Sequence, residues 1–309
     1  MEWRKLRGGD AVAHLVTLAA ASSVLLITVL LVVELYGSSA PSRHKLGWGF
    51  LLSSHWDPVA DNFGALPFIY GTVVTSLVAL LIAVPLGLGA AIFLAELAPP
   101  QISDALTFVV ELLAAVPSVI YGLLAIFVLV PPLREYVEPF LQKRFGYLPL
   151  FQGPMYGVGF LAAGLTLAIM ILPFIVSISR EALLSVPGEQ REAALAVGAT
   201  RWEAAWQVVV PFARLGIVGS IFLALARALG ETMAVTMVIG NTPQIAASLF
   251  APGYSIAAVI ANEFTEATSQ MHVSALIELG LVLFALTMLL NAVARLLMIA
   301  TTRKGSAQA

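Results

Sequence analysis

Arg227 and Glu231, in the run RALGE at 227–231, are the residues whose types and spacing most directly suggest chemistry. Four positions apart on a helix, they would project from one face, one turn from each other. A guanidinium offers a planar fork of donors that matches the oxygens of an oxyanion, and it stays charged when partly desolvated. The expectation is that Arg227 meets an anion in transit, while Glu231 holds the guanidinium between anions and releases it in exchange. The alternative is a permanent ion pair that only fixes helix packing. Glu111 in VELLAAVPS and Glu278 in LIELGLVLF lie in equally apolar surroundings and could converge on the same buried cluster. Other chemistries find little support. The chain has no cysteine, hence no thiol nucleophile, thiolate metal site or disulfide framework. His14, His44, His55 and His272 show no ligand spacing, so neither metal nor cofactor is expected. There is no G-x-x-x-x-G-K-[ST] loop to cradle nucleotide phosphates.

The elements that must position these residues are apolar. The chain is 60% hydrophobic and 11% charged, with a mean hydropathy of +0.94, which excludes an ordinary soluble domain. Crossing a bilayer takes about 20 apolar residues, and six runs qualify: 11–36, 69–97, 105–130, 155–180, 208–240 and 272–300. In lipid the backbone must be satisfied within each segment, so these runs are helices. The fold class is an all-α integral membrane protein with six transmembrane helices in a single domain, 1–309. The first run exceeds the core of a signal peptide and reads as a retained helix. A net charge of −2 and the lack of a basic patch give no sign of nucleic acid.

Arg227 falls near the middle of the 208–240 run, where a charge costs several kcal/mol and faces the bundle interior or a water-filled cavity. Pro85, Pro117 and Pro173 can each kink a span. With the N-terminus in the cytoplasm, ten cations fall inside: Arg4, Lys5, Arg7, Arg180, Arg191, Arg201, Arg214, Arg295, Arg303 and Lys304. Five fall outside in longer loops (Arg43, Lys45, Arg134, Lys143 and Arg144), and Arg227 is the sixteenth. This bias places both termini in the cytoplasm. Three outer loops follow, about 37–68, 131–154 and 241–271; the second reads as a short amphipathic helix on the outer surface.

On the cytoplasmic side lies EQREAALAVGATRWEAAWQVVVP, 189–211. It reads as a helical hairpin over 185–206. Ser185 can cap the first helix with Pro187 in its opening turn. Gly198 can take the left-handed conformation that ends it, and Thr200 with Glu203 forms a Thr-x-x-Glu capping box. The plainer alternative is an amphipathic hairpin in the lipid interface. The segment resembles the EAA loop of bacterial ABC importer permeases (type I) in Glu192, Ala193, Ala194, Gly198 and the closing Val210–Pro211. That resemblance implies a coupling helix that docks on an ATPase subunit, with Glu192, Ala193, Ala194, Gly198, Thr200 and Glu203 as the coupling residues.

RALGETMAV at 227–235 followed by IGN, WDPVADNFGALPFIYGT at 56–72 and VELLAAVPSVIYG at 110–122 narrow the resemblance. Together they are similar to the phosphate-specific (Pst) ABC importer permeases of PstC type. The resemblance implies phosphate import across a bacterial inner membrane, with ATP used by a partner. The implied partners are a PstA-like sister permease, two PstB-like ATPase subunits and a PstS-like periplasmic phosphate-binding protein. RALGE alone identifies oxyanion permeases, so a sulfate or molybdate permease is the alternative within the class. A proton-coupled transporter using Glu111, Glu231 and Glu278 is the alternative outside it, and it leaves the hairpin unexplained. An integral-membrane enzyme would need a nucleophile and base that no spacing supplies.

Overall fold

The computed structural model describes residues 9–305; Arg4, Lys5 and Arg7, which entered the charge count, lie outside them. In chain order the helices of six residues or more are α1 (Gly9–Ser38), α2 (Ala40–Leu46), α3 (Leu66–Leu97), α4 (Pro100–Ala114), α5 (Ser118–Phe145), α6 (Phe160–Leu184), α7 (Gly188–Ala196), α8 (Arg201–Leu229), α9 (Met233–Val238), α10 (Ile256–Glu263) and α11 (Gln270–Gly305). Among the described residues the only β pairing is an isolated bridge between Asp57 and Asn62. Six of the helices, α1, α3, α5, α6, α8 and α11, are long and apolar enough to cross a membrane.

The bundle is built round α6. Of its most apolar window 67% is buried inside the protein, against 0% for α1, so α6 is the axis and α1 lies at the periphery of the bundle. Small residues set the register by letting backbones approach. Gly164 lies against Val78 and Gly87 against Ile175, so α3 runs parallel to α6. Gly216 lies against Ala182, and the Ser220 and Ser179 hydroxyls bond at 2.8 Å, so α8 runs antiparallel to it. A central core joins Ala79, Ala83, Tyr121, Leu167, Ile171, Ala224, Ala228 and Val235. At one end a second cluster gathers Phe50, Phe63, Phe68, Tyr254, Ile256 and Leu276. At that end Gly71 touches backbone: a Cβ there would stand 2.1 Å from the Tyr254 carbonyl oxygen. Gly71→Ala should therefore force α3 away and destabilise the protein by about 1–3 kcal/mol. Thermal unfolding of the purified protein would read this as a lowered Tm; an unchanged Tm would contradict the packing.

Two expected spans differ from the structure. The run 105–130 is divided at Ala115–Pro117. Pro117 has no N–H for the Leu113 carbonyl, which instead accepts from the Tyr121 hydroxyl at 2.7 Å and the Val116 amide at 3.2 Å. The unbroken helix α5 reaches Phe145, so the surface helix expected in 131–154 is the continuation of a span. The contacts show where the crossing lies. Arg180, near the last turn of α6, donates to Ser103 at the start of α4, while Gly157, just before α6, lies against Val130 and Arg134. The chain from 103 to 130 thus runs alongside the length of α6 in two pieces. The run 208–240 also breaks, at 230–232 between α8 and α9. There the Thr232 hydroxyl donates to the Gly230 carbonyl at 3.3 Å, and Glu231 accepts from the Ala234 amide at 3.2 Å. Such local side-chain bonds compete with the helical ladder.

Candidate functional site

Arg227 occupies the last turn of α8, immediately before the break. Its guanidinium stacks over the Phe174 ring with its carbon 4.1 Å from the centroid. Phe174 is the fifteenth of the 25 residues of α6, which sets the charge near the middle of the bundle. Tyr121, just past the Pro117 break, shares a core cluster with Ala228, the residue after Arg227. Two interrupted helices therefore meet at one cation. Irregular backbone at such depth is tolerated where it is buried in protein or lines a water-filled cavity.

The expected ion pair is absent. With α8 ending at Leu229, Glu231 no longer lies one helical turn from Arg227; its carboxylate instead caps the first turn of α9 through Ala234. Arg227 makes no salt bridge among the described residues, and its buried Nε has no hydrogen-bond partner. The resting clasp between the two residues is thus replaced by a half-buried, unpaired cation. A stack on an aromatic face offsets part of the cost of holding it there.

The convergence of Glu111 and Glu278 on Arg227 does not occur either. Glu111 is exposed on α4, beside the exposed apolar side chains of Phe108 and Leu112. Glu278, 6% exposed, lies one turn along α11 from Ser274, whose hydroxyl accepts from the Ser42 amide of α2 at 3.0 Å, and its Oε2 has no hydrogen-bond partner among the described residues. At that level α11 also approaches Leu35 and Ile260, so Glu278 belongs to the junction of α1, α2, α10 and α11. Glu278→Gln should keep transport within about twofold of the parent, since a surviving amide can satisfy the same small site. Loss of transport with normal assembly would return Glu278 to the path.

The hairpin keeps its turn and its second cap. Gly198 has φ +90°, and its amide donates to Leu195 while the Ala199 amide donates to Ala194. Thr200 accepts from the Glu203 amide at 3.3 Å, and the Glu203 carboxylate accepts from the Thr200 amide at 2.8 Å. The first cap differs: Pro187 precedes α7, while the Ser185 hydroxyl donates to Ala182 and stays with α6. Glu192 and Ala193 are exposed and Ala194 is buried. Val197 is 86% exposed, and the stacked rings of Trp202 and Trp206 are half exposed, with centroids 6.0 Å apart. Sequence reasoning missed Phe174, Tyr121 and the bond from Arg191 to Glu96. Tyr121 had a signal, because Pro117 orphans a carbonyl that some donor must reach; Phe174 is one aromatic among many.

Comparison with known proteins places this architecture. Residues 83–303 match the family model described as binding-protein-dependent transport system inner membrane component. The chain is 49% identical over 290 residues to the phosphate transport system permease protein PstC of Mesorhizobium japonicum, covering 93% of this chain and 89% of the relative. It is 46% identical to that of Xylella fastidiosa, over 96% and 92% of the two chains. A chain of a bacterial ABC transporter involved in the import of the acidic polysaccharide alginate superposes with TM-score 0.60 at 16% identity, covering 95% of this chain and 98% of the other. A chain of the MetNI methionine ABC transporter in an inward-facing conformation gives TM-score 0.55 at 18% identity, over 75% and 94%. These likenesses establish the fold alone; family membership rests on the sequence matches. The chain is a multi-pass membrane protein that belongs to the binding-protein-dependent transport system inner membrane components, among the phosphate transport system permeases of PstC type.

Proposed function

We propose that the chain is the permease subunit of an ATP-driven phosphate importer and that Arg227 contacts the anion on its way through. The observation that carries this reading is the unpaired Arg227 where two broken helices meet, in a chain whose relatives are named for phosphate transport. A mid-depth cation with no carboxylate partner among the described residues needs a counter-charge, and a passing oxyanion supplies one that also leaves. Glu231 then serves by starting α9, which fixes the backbone beside the guanidinium. The exposed acid and apolar face of α4, with Glu111, forms part of the surface against the sister permease.

Hydrolysis takes place on two PstB-like subunits docked at Glu192, Ala193, Ala194, Gly198, Thr200 and Glu203. A PstA-like permease completes the path, and a PstS-like periplasmic protein delivers phosphate to the opposite face. The test is uptake by proteoliposomes holding the whole complex. Phosphate should enter only when ATP is supplied on the hairpin side, and an imposed proton gradient should not replace it. Stronger uptake of sulfate or molybdate would favour the alternative oxyanions, and gradient-driven uptake without ATP would overturn the reading.

The orientation has its own check. The chain has no cysteine, so single introduced thiols report cleanly. Cysteine at the exposed Ser54 or Thr268 should react with an impermeant maleimide from the periplasmic side, and cysteine at Val197 only after the membrane is opened. Reversed labelling would place the hairpin away from ATP.

A further inference from the structure

We infer that the Glu96–Arg191 pair is the clamp through which the hairpin moves the spans, with Arg191 as a positioning residue for coupling; this rests on the importer reading above. Arg191 precedes Glu192 on α7. Its Nε donates to both Glu96 oxygens at 3.1 and 3.0 Å, and its Nη2 to Glu96 Oε1 at 2.7 Å. Nη2 also donates to the Leu183 carbonyl at 2.7 Å, and Nη1 to the Val186 carbonyl. One guanidinium therefore joins three segments: the last turn of α3, the end of α6 and the first turns of α7.

The burial distinguishes this contact from a solvated ion pair. The Glu96 side chain is 9% exposed and that of Arg191 24%. Exposed pairs are weak links, but removing one partner of a buried pair strands the other charge. Beneath the pair Ala91, Ile92, Leu183, Val186, Ala205 and Val209 close an apolar cluster. The helices turn π-helical on both sides of it, at Phe93–Leu97 and Ala205–Val209. Beyond the clamp, the turn at Gly198 touches nothing that a Cβ would meet within 4 Å. A push on the exposed hairpin enters α8 through its own backbone, and at this contact it also reaches α3 and the end of α6, the helix that carries Phe174 under Arg227. The two carbonyls suit arginine, since its fixed fork makes five contacts from three nitrogens, whereas an ammonium has three donors on one atom.

The experiment uses the complete complex in proteoliposomes, with Arg191→Met, Glu96→Gln and Arg191→Lys. Co-purification of the ATPase, ATP hydrolysis and phosphate moved per ATP are measured together. The Met and Gln variants should assemble and hydrolyse ATP, while phosphate moved per ATP falls about ten- to hundredfold; Arg191→Lys should recover part of it. An unchanged ratio in both variants would overturn the clamp. Loss of assembly in both, with lysine no better, would also overturn it and leave the pair as a fold determinant. A parent complex that moves no phosphate with ATP rejects the importer reading before any variant is made. The ratio taken with sulfate or molybdate, if one of those is moved, then still decides the clamp.

Discussion

Gly198→Val is expected to uncouple ATP hydrolysis from transport while the spans stay packed. The turn holds Gly198 at φ +90°, a region where a β-branched residue is a strong outlier. Reaching it costs an L-residue about 1–2 kcal/mol or more. No neighbour contributes, because a Cβ at 198 would meet nothing within 4 Å. The penalty is purely one of backbone conformation, and the chain relieves it by opening the turn. The bonds from Gly198 to Leu195 and from Ala199 to Ala194 then go, and α7 loses its fixed angle to α8. Thermal stability should change little, since the turn is exposed, and phosphate moved per ATP should fall severely. Gly198→Asn is the control, because asparagine tolerates positive φ and should keep most coupling. Normal transport by the valine variant would count decisively against a docking role for this hairpin.

The hairpin was legible because its signals are local: a glycine that must end a helix and a Thr-x-x-Glu that must start one. Both act within four residues, whatever the rest of the bundle does. Helix class and the approximate spans were equally legible, since hydropathy over a bilayer's width leaves the backbone no other choice. The ion pair between Arg227 and Glu231 failed for a related reason. Spacing of four implies contact only if the helix continues, and Gly230 with Thr232 ends it. The glycine was in view, yet glycine is common in membrane helices, so it gave no warning by itself. Glu111 and Glu278 share apolar surroundings with Arg227 in the sequence, but such surroundings do not say which face of the bundle each residue takes. Glu96 stayed hidden because its partner lies 95 positions away, a distance that no local pattern spans.

Arg227→Gln is expected to keep assembly and to lose most phosphate uptake. Among the described residues the guanidinium has no carboxylate partner to strand, so removing its charge relieves a cost within this chain and should not unfold it. What disappears, on the proposed reading, is the donor fork for the anion. A charge-assisted hydrogen bond contributes about 1.5–3 kcal/mol, so losing one predicts a fall of roughly ten- to 150-fold. Arg227→Lys keeps the charge but loses the planar fork and the stack on Phe174, and it should fall between the two. A purely structural arginine makes the opposite forecast, with lysine tolerated and any loss appearing as failed assembly. The decisive measurement reconstitutes the parent and Arg227→Gln complexes with all partners and follows phosphate transport beside ATP hydrolysis. The account predicts an assembled, hydrolysing Arg227→Gln complex that moves little phosphate; phosphate transport at the parent's rate would contradict it.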